Sequence, residues 1–355
     1  MKVLKTILKV ILAIVILLLV FAAAVITWLT IVEYRPEATE TVEVQSLSGE
    51  AEVLSAGDSV KLVSWNIGFG ALGDNADFFM DGGKMVFPSD EARVKENLDA
   101  FAREIKLQDP DIVMLQEIDI DSDRSYNIDQ TGYFDDLGFN NKSFAYNFKV
   151  AFAPFPIPPM GKIDSGIATY SDYPVSSATR VSLPCPFSWP VRISNLKRCI
   201  LVTRIPVEGG KELVILNFHL EAYDDGEGKI AQAQMLMDFL KEENEKGNYV
   251  IAGGDFNQTF STIDNHFPVL PEQWQPGIMD VDAYTDDWQF LMSPDVASCR
   301  SIYAPLAGND PASLQYYIID GFIISSNVRV DSYEIKDLGF ANSDHNPLIL
   351  NITLE

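Results

Sequence analysis

Cysteine is scarce in this sequence of 355 residues. The three thiols are Cys185, Cys199 and Cys299, and no two of them stand in a Cys-x-x-Cys spacing. An odd number of cysteines without that spacing argues against a structural zinc cluster and against a disulfide framework. In an oxidising compartment, Cys185 and Cys199 are the candidates for a single disulfide. No cysteine precedes Cys185, which excludes lipid attachment to an amino-terminal cysteine.

Basic residues are also few. After residue 32 the chain has 51 acidic and only 23 basic residues, so its net charge there is −28. Proteins that bind nucleic acid without sequence preference normally present a basic surface to the phosphates. We therefore expect no strong nucleic-acid binding, although a local cationic site around a metal ion is compatible with this charge.

Three common catalytic signatures are missing from the sequence. It contains no nucleophile elbow, no P-loop and no dinucleotide-binding fingerprint. Each of these short motifs marks a particular chemistry, namely acyl transfer, nucleotide phosphate binding or hydride transfer. The chemistry of this chain has to come from other residues.

Charged residues are absent from residues 10–32, a run of 23 residues. Such a run is long enough to cross a bilayer as a helix. Three lysines precede it and glutamates follow it, which predicts a cytoplasmic tail at residues 1–9 and an extracytoplasmic location for the bulk of the chain. We therefore expect a single-pass anchor in the cell membrane. A cleaved signal peptide with its processing site near the alanines 22–24 is the alternative.

The remaining chain divides at about residue 60. Residues 33–60 are rich in Glu, Thr and Ser and poor in aromatics, which is typical of a stalk or linker with room for one edge strand, at residues 42–44 or 53–54. Residues 61–355 have the composition of a globular domain. Nothing in the sequence indicates the oligomeric state.

Residues 62–116 follow the pattern of a strand, a helix and a second strand. Ser89 is a suitable N-cap, apolar residues then recur at helical spacing up to Ile105, and Asp109 followed by proline ends the helix. This pattern predicts a β-α-β unit.

Polar side chains stand at the ends of several predicted strands. Residues 250–257 form an apolar strand that stops at two glycines and then presents Asp255 and Asn257. Asn66 ends an earlier strand, and Glu117 follows the next one. Residues just past the carboxyl ends of central strands are where open α/β sheets place their chemistry. We therefore expect these four side chains to belong to one site.

Two of the three histidines have similar positions. His219 ends the strand 212–219, and His345 follows Asp344 just before the last strand. A single histidine is more often a structural group than a catalyst, but two in equivalent settings favour a function. His266 lies in a predicted loop and is left unassigned.

The candidate residues are carboxylates, amides and imidazoles, without a thiolate. Asp320 joins them because it interrupts the apolar strand 316–325, where a carboxylate needs a partner. Carboxylate and amide oxygens are the ligands that Mg²⁺ or Mn²⁺ prefers. These residue types predict metal-assisted hydrolysis at phosphorus, with water as the nucleophile.

Seven short motifs occur in order along the chain: Ser-Trp-Asn-Ile (64–67), Leu-Gln-Glu (115–117), Ser-Gly-Ile-Ala (165–168), Asn-Phe-His-Leu (217–220), Gly-Asp-Phe-Asn (254–257), Ile-Asp-Gly-Phe (319–322) and Ser-Asp-His (343–345). In this order they resemble the endonuclease/exonuclease/phosphatase family, which includes DNase I-like nucleases, inositol-phosphate phosphatases and neutral sphingomyelinases. The resemblance extends over residues 61–355. It implies an α/β fold of four layers, in which two packed mixed β-sheets lie between helices.

The resemblance also implies which residues bind the cofactor. Glu117 is the implied principal metal ligand, with Asn66 and Asp344 nearby. The implied cofactor is Mg²⁺ or Mn²⁺, and whether one ion or two act is left open within the family.

The catalytic roles follow from the same resemblance. Asp255 is implied to orient or deprotonate the attacking water, and Asn257 to hold the phosphate. His345, oriented by Asp320, is implied to stabilise charge on the phosphoryl oxygens or to transfer a proton. His219 matches a position that contacts the phosphate.

Two stretches depart from the DNA-repair members of the family. One is the loop Asp-Phe-Phe-Met-Asp-Gly-Gly-Lys (77–84), which is either a surface loop that shapes the site or an ordinary turn. The other is His-Leu-Glu-Ala (219–222), which is closer to sphingomyelinase-like and membrane-associated members. Together with the acidic charge and the predicted anchor, they favour a phosphoester in a lipid headgroup or in a small extracytoplasmic metabolite.

Two other functions are weighed against this one. A surface nuclease is the alternative hydrolase. A binding protein without catalysis is disfavoured, because no candidate catalytic position is missing.

Overall fold

Two seven-stranded β-sheets form the centre of the computed structural model, which describes residues 2–47, 52–224, 226–284 and 287–355. The α-helices in these ranges are α1 (Lys2–Ile31), α2 (Glu91–Gln108), α3 (Gly132–Asp135) and α4 (Glu227–Glu245). The strands are β1 (Thr39–Val42), β2 (Val44–Ser46), β3 (Ser59–Asn66), β4 (Ile112–Asp119), β5 (Asn141–Ala153), β6 (Gly161–Ser171), β7 (Ser177–Ser182), β8 (Cys199–Pro206), β9 (Glu212–His219), β10 (Tyr249–Asp255), β11 (Gln258–Phe260), β12 (Gly277–Met279), β13 (Trp288–Leu291), β14 (Cys299–Arg300), β15 (Tyr316–Tyr317), β16 (Asp320–Ser325), β17 (Val328–Ile335) and β18 (Leu348–Leu354).

Both large sheets are mixed. Sheet I has the strand order β1-β7-β8-β9-β10-β16-β13, and sheet II has the order β17-β18-β3-β4-β6-β5-β2. The central pairs β9–β10 and β3–β4 are parallel, and the other neighbours in each sheet are antiparallel. The carboxyl ends of the parallel strands therefore lie at one end of each sheet.

The three largest hydrophobic clusters among the described residues lie between the layers of the fold. Between the sheets, apolar side chains such as Leu62 and Met114 of sheet II pack with Ile215 and Ile251 of sheet I. Helix α2 covers the outer face of sheet II, and α4 covers that of sheet I. Burying each large aliphatic side chain contributes about 1.5–3 kcal/mol. The predicted four-layer α/β fold is confirmed.

The predicted β-α-β unit is β3, α2 and β4, and its two strands are parallel. The N-cap of α2 is Asp90, whose side chain accepts a hydrogen bond from the Arg93 N–H. The prediction of Ser89 as the cap is wrong, because the Ser89 hydroxyl donates instead to the carbonyl of Ala71. The helix ends at Asp109, which has a left-handed backbone conformation.

Residues 33–60 contribute an edge strand to each of the large sheets. Strand β1 pairs with β7 at the edge of sheet I, and β2 pairs with β5 at the edge of sheet II. The sequence predicts one edge strand in this segment, and the structure has two, on either side of Glu43, while the linker as a whole stays a prediction. A segment with few apolar residues can still join a fold when its backbone hydrogen bonds close the exposed edges of two sheets.

The candidate disulfide is not formed, since all three cysteines are free thiols. The buried Cys199 Sγ lies 3.6 Å from the carbonyl oxygen of Tyr146. The Cys185 Sγ lies 3.9 Å from the carbonyl oxygen of Leu196. The two sulfur atoms contact different parts of the backbone.

Helix α1 is long and apolar enough to cross a membrane. It has 30 residues, and its most apolar 18-residue window has a mean hydropathy of 3.3, with none of that window buried against the protein. It contains the predicted anchor up to residue 31 and begins before it, because the lysines near its start also adopt helical geometry.

A buried ion pair connects the far end of sheet I to α4. The carboxylate of Glu243 accepts hydrogen bonds from Arg204 at 2.6 and 3.0 Å, from Lys246 at 2.6 Å and from Asn248 at 2.9 Å. Burial raises the pKa of this carboxyl group, but the hydrogen bonds outweigh it and lower the pKa to about 2 from 4.5. The ionised form is therefore the one that stabilises the fold.

We expect Glu243→Gln to lower the free energy of unfolding by about 3 kcal/mol at pH 7, because Arg204 loses the more deeply buried of its two carboxylate partners and keeps Glu212. A group with a depressed pKa contributes stability above its unfolded-state pKa and loses it as the pH falls. The difference from the wild type should therefore shrink between pH 4.5 and about pH 2. Urea unfolding at several pH values measures it. The exposed neighbour Glu242, changed to Gln, is the control; an equal effect of both substitutions at pH 7 would contradict the assignment.

Candidate active site

Three candidate residues of sheet I lie side by side on adjacent strands. His219 ends β9, Asp255 ends β10 and Asp320 begins β16. The strand register pairs Asp255 with His219 on one side and with Asp320 on the other. Directly paired residues on neighbouring strands have their side chains on the same face. The His219 Nε2 is accordingly 3.4 Å from Asp255 Oδ2.

A β-bulge directs Glu117 towards the same place from sheet II. Asn66 ends β3 opposite Gln116 of β4, and Glu117 follows with a backbone φ of +54°. The pairing of β4 with β6 shifts between Leu115 and Ile118. In a regular strand, the side chain of Glu117 would point to the opposite face of the sheet from Gln116 and its partner Asn66. The bulge re-aims the glutamate at the cost of a left-handed residue.

Asn66 connects the two sheets at this point. Its Nδ2 donates to Glu117 Oε1 at 3.2 Å and to Asp255 Oδ2 at 3.1 Å. Its Oδ1 accepts the backbone N–H of Gly68 at 3.0 Å. The implied position of Asn66 near the metal stays a prediction, since its amide oxygen accepts one hydrogen bond from Gly68 and keeps a second lone pair. In this orientation, Asn66 positions two acids.

His345 completes the cluster from the loop before β18. Its Nδ1 lies 2.8 Å from Asp320 Oδ2, while its Nε2 lies 3.8 Å from Asp255 Oδ2 and 4.0 Å from Asp344 Oδ2. The Trp65 indole N–H donates to the His345 carbonyl oxygen at 2.9 Å, which fixes the backbone of the loop. The imidazole is thus oriented by one carboxylate and faces two others.

Asn257 has a different relation to the cluster from the other seven candidates. Its backbone N–H donates to Asp255 Oδ1 at 2.9 Å, and its side-chain Nδ2 donates to the Leu220 carbonyl oxygen at 2.9 Å. The residue adopts a left-handed φ of +51° to make this turn. Its backbone therefore orients Asp255, and its amide keeps one further N–H and an oxygen for other partners.

The carboxylates repel one another strongly. Burial, with contributions from the charges of Asp320 and Glu117, raises the pKa of Asp255 to about 7. Burial also raises the pKa of Asp344 to about 6, again with a contribution from Glu117. Like charges at these separations disfavour ionisation, and a bound cation reverses that effect.

The pKa values of the two histidines are shifted in opposite directions. Burial lowers the pKa of His219 well below its usual value, and the charge of Arg198 lowers it further. Burial acts in the same sense on His345, but the carboxylate of Asp320 outweighs it, and the pKa of His345 is raised well above its usual value. Near neutral pH, His219 is neutral and His345 carries a positive charge.

The donor set fits a hard divalent cation. Two trios of side chains have potential ligand atoms within 4.8 Å of one another: Cys299, Asp344 and His345, and Asp255, Asp320 and His345. Glu117 borders these trios through Asn66. The buried His219 Nδ1 has no hydrogen-bond partner among the described residues and lies 3.8 Å from Glu117 Oε1. Several buried acids beside an unsatisfied imidazole nitrogen are the environment that Mg²⁺ or Mn²⁺ with its bound water would satisfy.

A buried amide pair locks the two sheets together just below the site. Gln116 Nε2 donates to Asn217 Oδ1 at 2.8 Å, and Asn217 Nδ2 donates to the Ala168 carbonyl oxygen at 2.8 Å. Both side chains are completely buried. The signal for this pair in the sequence is a polar residue within an apolar strand, one or two positions from a candidate site residue.

The loop 77–84 has features of both interpretations, because Phe78 and Phe79 pack into the core and Asp81 lies near the acid cluster. Asp77 Oδ1 accepts the backbone N–H groups of Lys84 and Met85 at 2.6 Å, which closes the loop. Asp81 Oδ2 accepts a hydrogen bond from the Tyr223 hydroxyl at 3.1 Å. Desolvation, with a contribution from the charge of Asp344, raises the pKa of Asp81 to about 7, so this acid lies within the electric field of the cluster.

A second buried pair supports the end of β9. Arg198 donates to Glu221 Oε2 at 3.1 Å and to the His219 carbonyl oxygen at 3.1 Å. Glu221 in turn accepts the backbone N–H groups of the next two residues. The His-Leu-Glu-Ala stretch therefore contributes a structural clamp, and its glutamate points away from the acid cluster towards Arg198.

Comparisons with known proteins agree with the geometry. An endonuclease/exonuclease/phosphatase from Beutenbergia cavernae DSM 12333 is 18% identical, with 83% of this chain and 72% of that chain aligned and a TM-score of 0.57. D. rerio TDP2, solved with a single strand DNA product, is 13% identical over 83% of this chain and 99% of that chain, with a TM-score of 0.53. The human Nocturnin catalytic domain, solved with a sulfate anion, is 16% identical over 88% and 97%, with a TM-score of 0.50.

At identities this low, the similarity to the solved structures establishes the fold of this chain and not its activity. No curated protein matches the sequence significantly. The sequence model of the endonuclease/exonuclease/phosphatase family matches residues 63–310, well over half of the chain. On that match and the shared fold, this chain belongs to the endonuclease/exonuclease/phosphatase family.

Proposed function

We propose that this protein is a divalent-metal-dependent phosphoester hydrolase in which water attacks phosphorus. One observation carries the proposal: acids, amides and imidazoles from both sheets meet at the carboxyl ends of the parallel strands. Asn66 bridges Glu117 and Asp255, and His345 bridges Asp320 and Asp344. Side chains of these types in contact are a recognised arrangement for hydrolysis at phosphorus.

We assign Glu117 and Asp344 as the residues that hold the cation, with Asn66 keeping Glu117 in place. A bound Mg²⁺ or Mn²⁺ supplies a Lewis acid that withdraws charge from the phosphoryl oxygens. Burial, with a contribution from the Glu117 carboxylate, raises the pKa of Asp344, and a bound cation would offset both effects on its ionised form. The number of ions is left open.

Asp255 is the proposed group that orients and deprotonates the attacking water. Its Oδ1 is fixed by the Asn257 N–H and its Oδ2 by Asn66, so its direction is set before substrate binds. A carboxyl group with a pKa of about 7 is well matched to general base catalysis near neutral pH.

His345 and His219 are the proposed contacts to the phosphoryl oxygens, together with Asn257. His345 carries a positive charge because of Asp320, and it can stabilise negative charge that develops in the transition state. The unsatisfied Nδ1 of His219 offers a hydrogen bond to the same group.

We further propose that residues 10–32 anchor the chain in the cell membrane and that the catalytic domain is extracytoplasmic. The supports are the unburied apolar helix α1 and the lysines that precede it. With β1 and β2 included in the sheets, the domain begins at about residue 39.

The proposed substrate is a phosphoester in a lipid headgroup or a small phosphorylated metabolite. The membrane helix and the net charge of −28 beyond it favour these over a polynucleotide. A surface nuclease is the second candidate, because the similar D. rerio TDP2 was solved with a single strand DNA product.

A comparison of three substrates tests the choice. Full-length protein in detergent, with Mg²⁺, is given vesicle-borne phospholipid, inositol or sugar phosphates, and plasmid DNA at equal phosphoester concentration. We expect kcat/KM for one of the first two substrates to exceed that for DNA by at least about tenfold, since the acidic surface repels polynucleotides. Preferential nicking of DNA would overturn the substrate assignment, and no hydrolysis of any of the three would contradict the proposed function.

A further inference from the structure

Four large apolar side chains stand exposed on two loops. Phe155 and Ile157 lie in the β5–β6 hairpin and are 73% and 84% exposed. Trp189 and Val191 lie in the β7–β8 connection and are 55% and 57% exposed. Single exposed apolar residues are common on soluble surfaces, but groups of them mark interaction sites.

The β5–β6 hairpin projects from the end of sheet II that carries the site. Asp119, at the end of β4, pairs with Ser165 of β6. The hairpin continues beyond that level until Ala153 pairs with Gly161. Four further residues of strand extend about 13 Å at 3.3 Å per residue, so the tip stands well past the strand ends.

The β7–β8 connection leaves sheet I at the same end. Ser182 of β7 pairs with Cys199 of β8, and the next residue of β8 pairs with Phe218, one residue before His219. The Lys197 N–H donates to the Asn147 carbonyl oxygen of β5 at 2.8 Å. The connection therefore lies against the hairpin strand, beside the site.

The end of the membrane-span helix lies on this connection. The Trp189 indole N–H donates to Thr30 Oγ1 at 3.1 Å. The Arg192 guanidinium contacts Glu33 Oε1 at 2.9 Å, and Lys197 Nζ is 3.7 Å from the same oxygen. The Glu33 side chain is only 1% exposed as a result. These contacts hold Trp189 level with the last turn of α1.

We propose that residues 153–161 and 184–194 form a membrane-docking surface, which seats the site-bearing end of the domain on the bilayer that α1 spans. The inference rests on the proposed anchor, and the occupant is the lipid interface. Tryptophan and flanking basic side chains are the residues that favour that depth. Arg192 and Arg35 both pair with the single carboxylate of Glu33, so together they leave one positive charge for the headgroups, and the apolar tips of the hairpin supply surface that enters the headgroup region.

This placement has a consequence for the substrate. With the open ends of β9 and β10 facing the bilayer, the site meets phosphoesters that are presented at the lipid surface. The proposed surface therefore favours the lipid headgroup over the soluble metabolite within the proposed function.

Fluorescence of a single label tests the surface directly. Full-length protein carrying Cys185→Ser, to remove the accessible thiol, receives Ile157→Cys and the environment-sensitive dye NBD, and is reconstituted in phosphatidylcholine/phosphatidylglycerol vesicles. The control is Leu107→Cys, whose side chain is 77% exposed at the end of α2 near the opposite end of the sheets. Both positions are exposed, so neither substitution removes a core contact.

We expect the emission of the label at position 157 to shift to the blue, to brighten by about twofold and to be quenched by lipid-borne spin labels. The label at position 107 should show none of these three changes. Equal spectra at both positions would overturn the proposal. Shielding at position 157 that grows with protein density and is insensitive to lipid quenchers would also overturn it, in favour of a second copy of the chain. The readout does not depend on turnover, so it is separate from failure of the proposed hydrolase activity.

Discussion

The His345→Ala variant should lose turnover by about 10²–10³-fold, the usual loss when a group that stabilises transition-state charge or transfers a proton is removed. The reason lies in the contacts of the ring. Asp320 holds its Nδ1 at 2.8 Å, and its Nε2 faces Asp255 and Asp344. Alanine removes the only positive charge that we assign to catalysis, so kcat should fall more than KM rises. Steady-state kinetics on the best substrate of the panel measures both.

A matched histidine provides the control. His266 is largely exposed in a loop and lies 3.9 Å from Asp264, so His266→Ala should leave kcat within about twofold. Thermal melting of both variants checks that the fold survives. The kcat of Asp320→Asn should fall between those of the two variants, because this substitution removes the charge that orients His345 and keeps its ring protonated. Normal kcat in a folded His345→Ala variant would remove this residue from the mechanism.

The Glu117→Gln variant should have the second large effect. Substitution of a residue that only supports a metal ligand typically lowers metal affinity or activity by about 10–100-fold. Neutralising a proposed direct ligand should therefore lower turnover by about a hundredfold or more. Raising the Mg²⁺ concentration should recover part of the activity, because the defect is one of cation binding. Activity assays across a Mg²⁺ titration measure this recovery.

Glu208→Gln is the matched control for that substitution. Glu208 is exposed in the β8–β9 hairpin, at the end of sheet I away from the site. Glu208→Gln makes the same change in charge as Glu117→Gln and should leave the Mg²⁺ dependence of activity unaltered. If both variants shifted the Mg²⁺ dependence equally, general surface charge rather than a site at Glu117 would be responsible.

The fold and much of the site follow from local sequence patterns. The strands that carry Asn66, His219 and Asp255 are apolar runs that end at polar residues, and hydrophobic periodicity is the strongest local signal of structure. Neighbouring parallel strands end at the same edge, so their terminal side chains meet without further information. This is why the candidate residues lie together, although their catalytic roles stay predictions.

The structure differs from the sequence-based predictions where segments that are distant along the chain meet. The orientation of the Asn66 amide depends on Gly68 and on Glu117, whose position depends on a bulge set by pairing with β6. The pairing of β1 and β2 depends on free edges of sheets that form elsewhere in the chain. The Gln116–Asn217 lock depends on how two sheets stack. Such features depend on tertiary packing that local patterns do not specify.

Binding of Mn²⁺ to the full-length protein in detergent, followed by electron paramagnetic resonance, tests the central claim most directly. We expect the wild type to bind Mn²⁺ with saturation, and Glu117→Gln to bind it at least about tenfold more weakly, in parallel with its loss of turnover. Equal Mn²⁺ affinity in the two proteins, with equal turnover, would contradict a cation site built on Glu117.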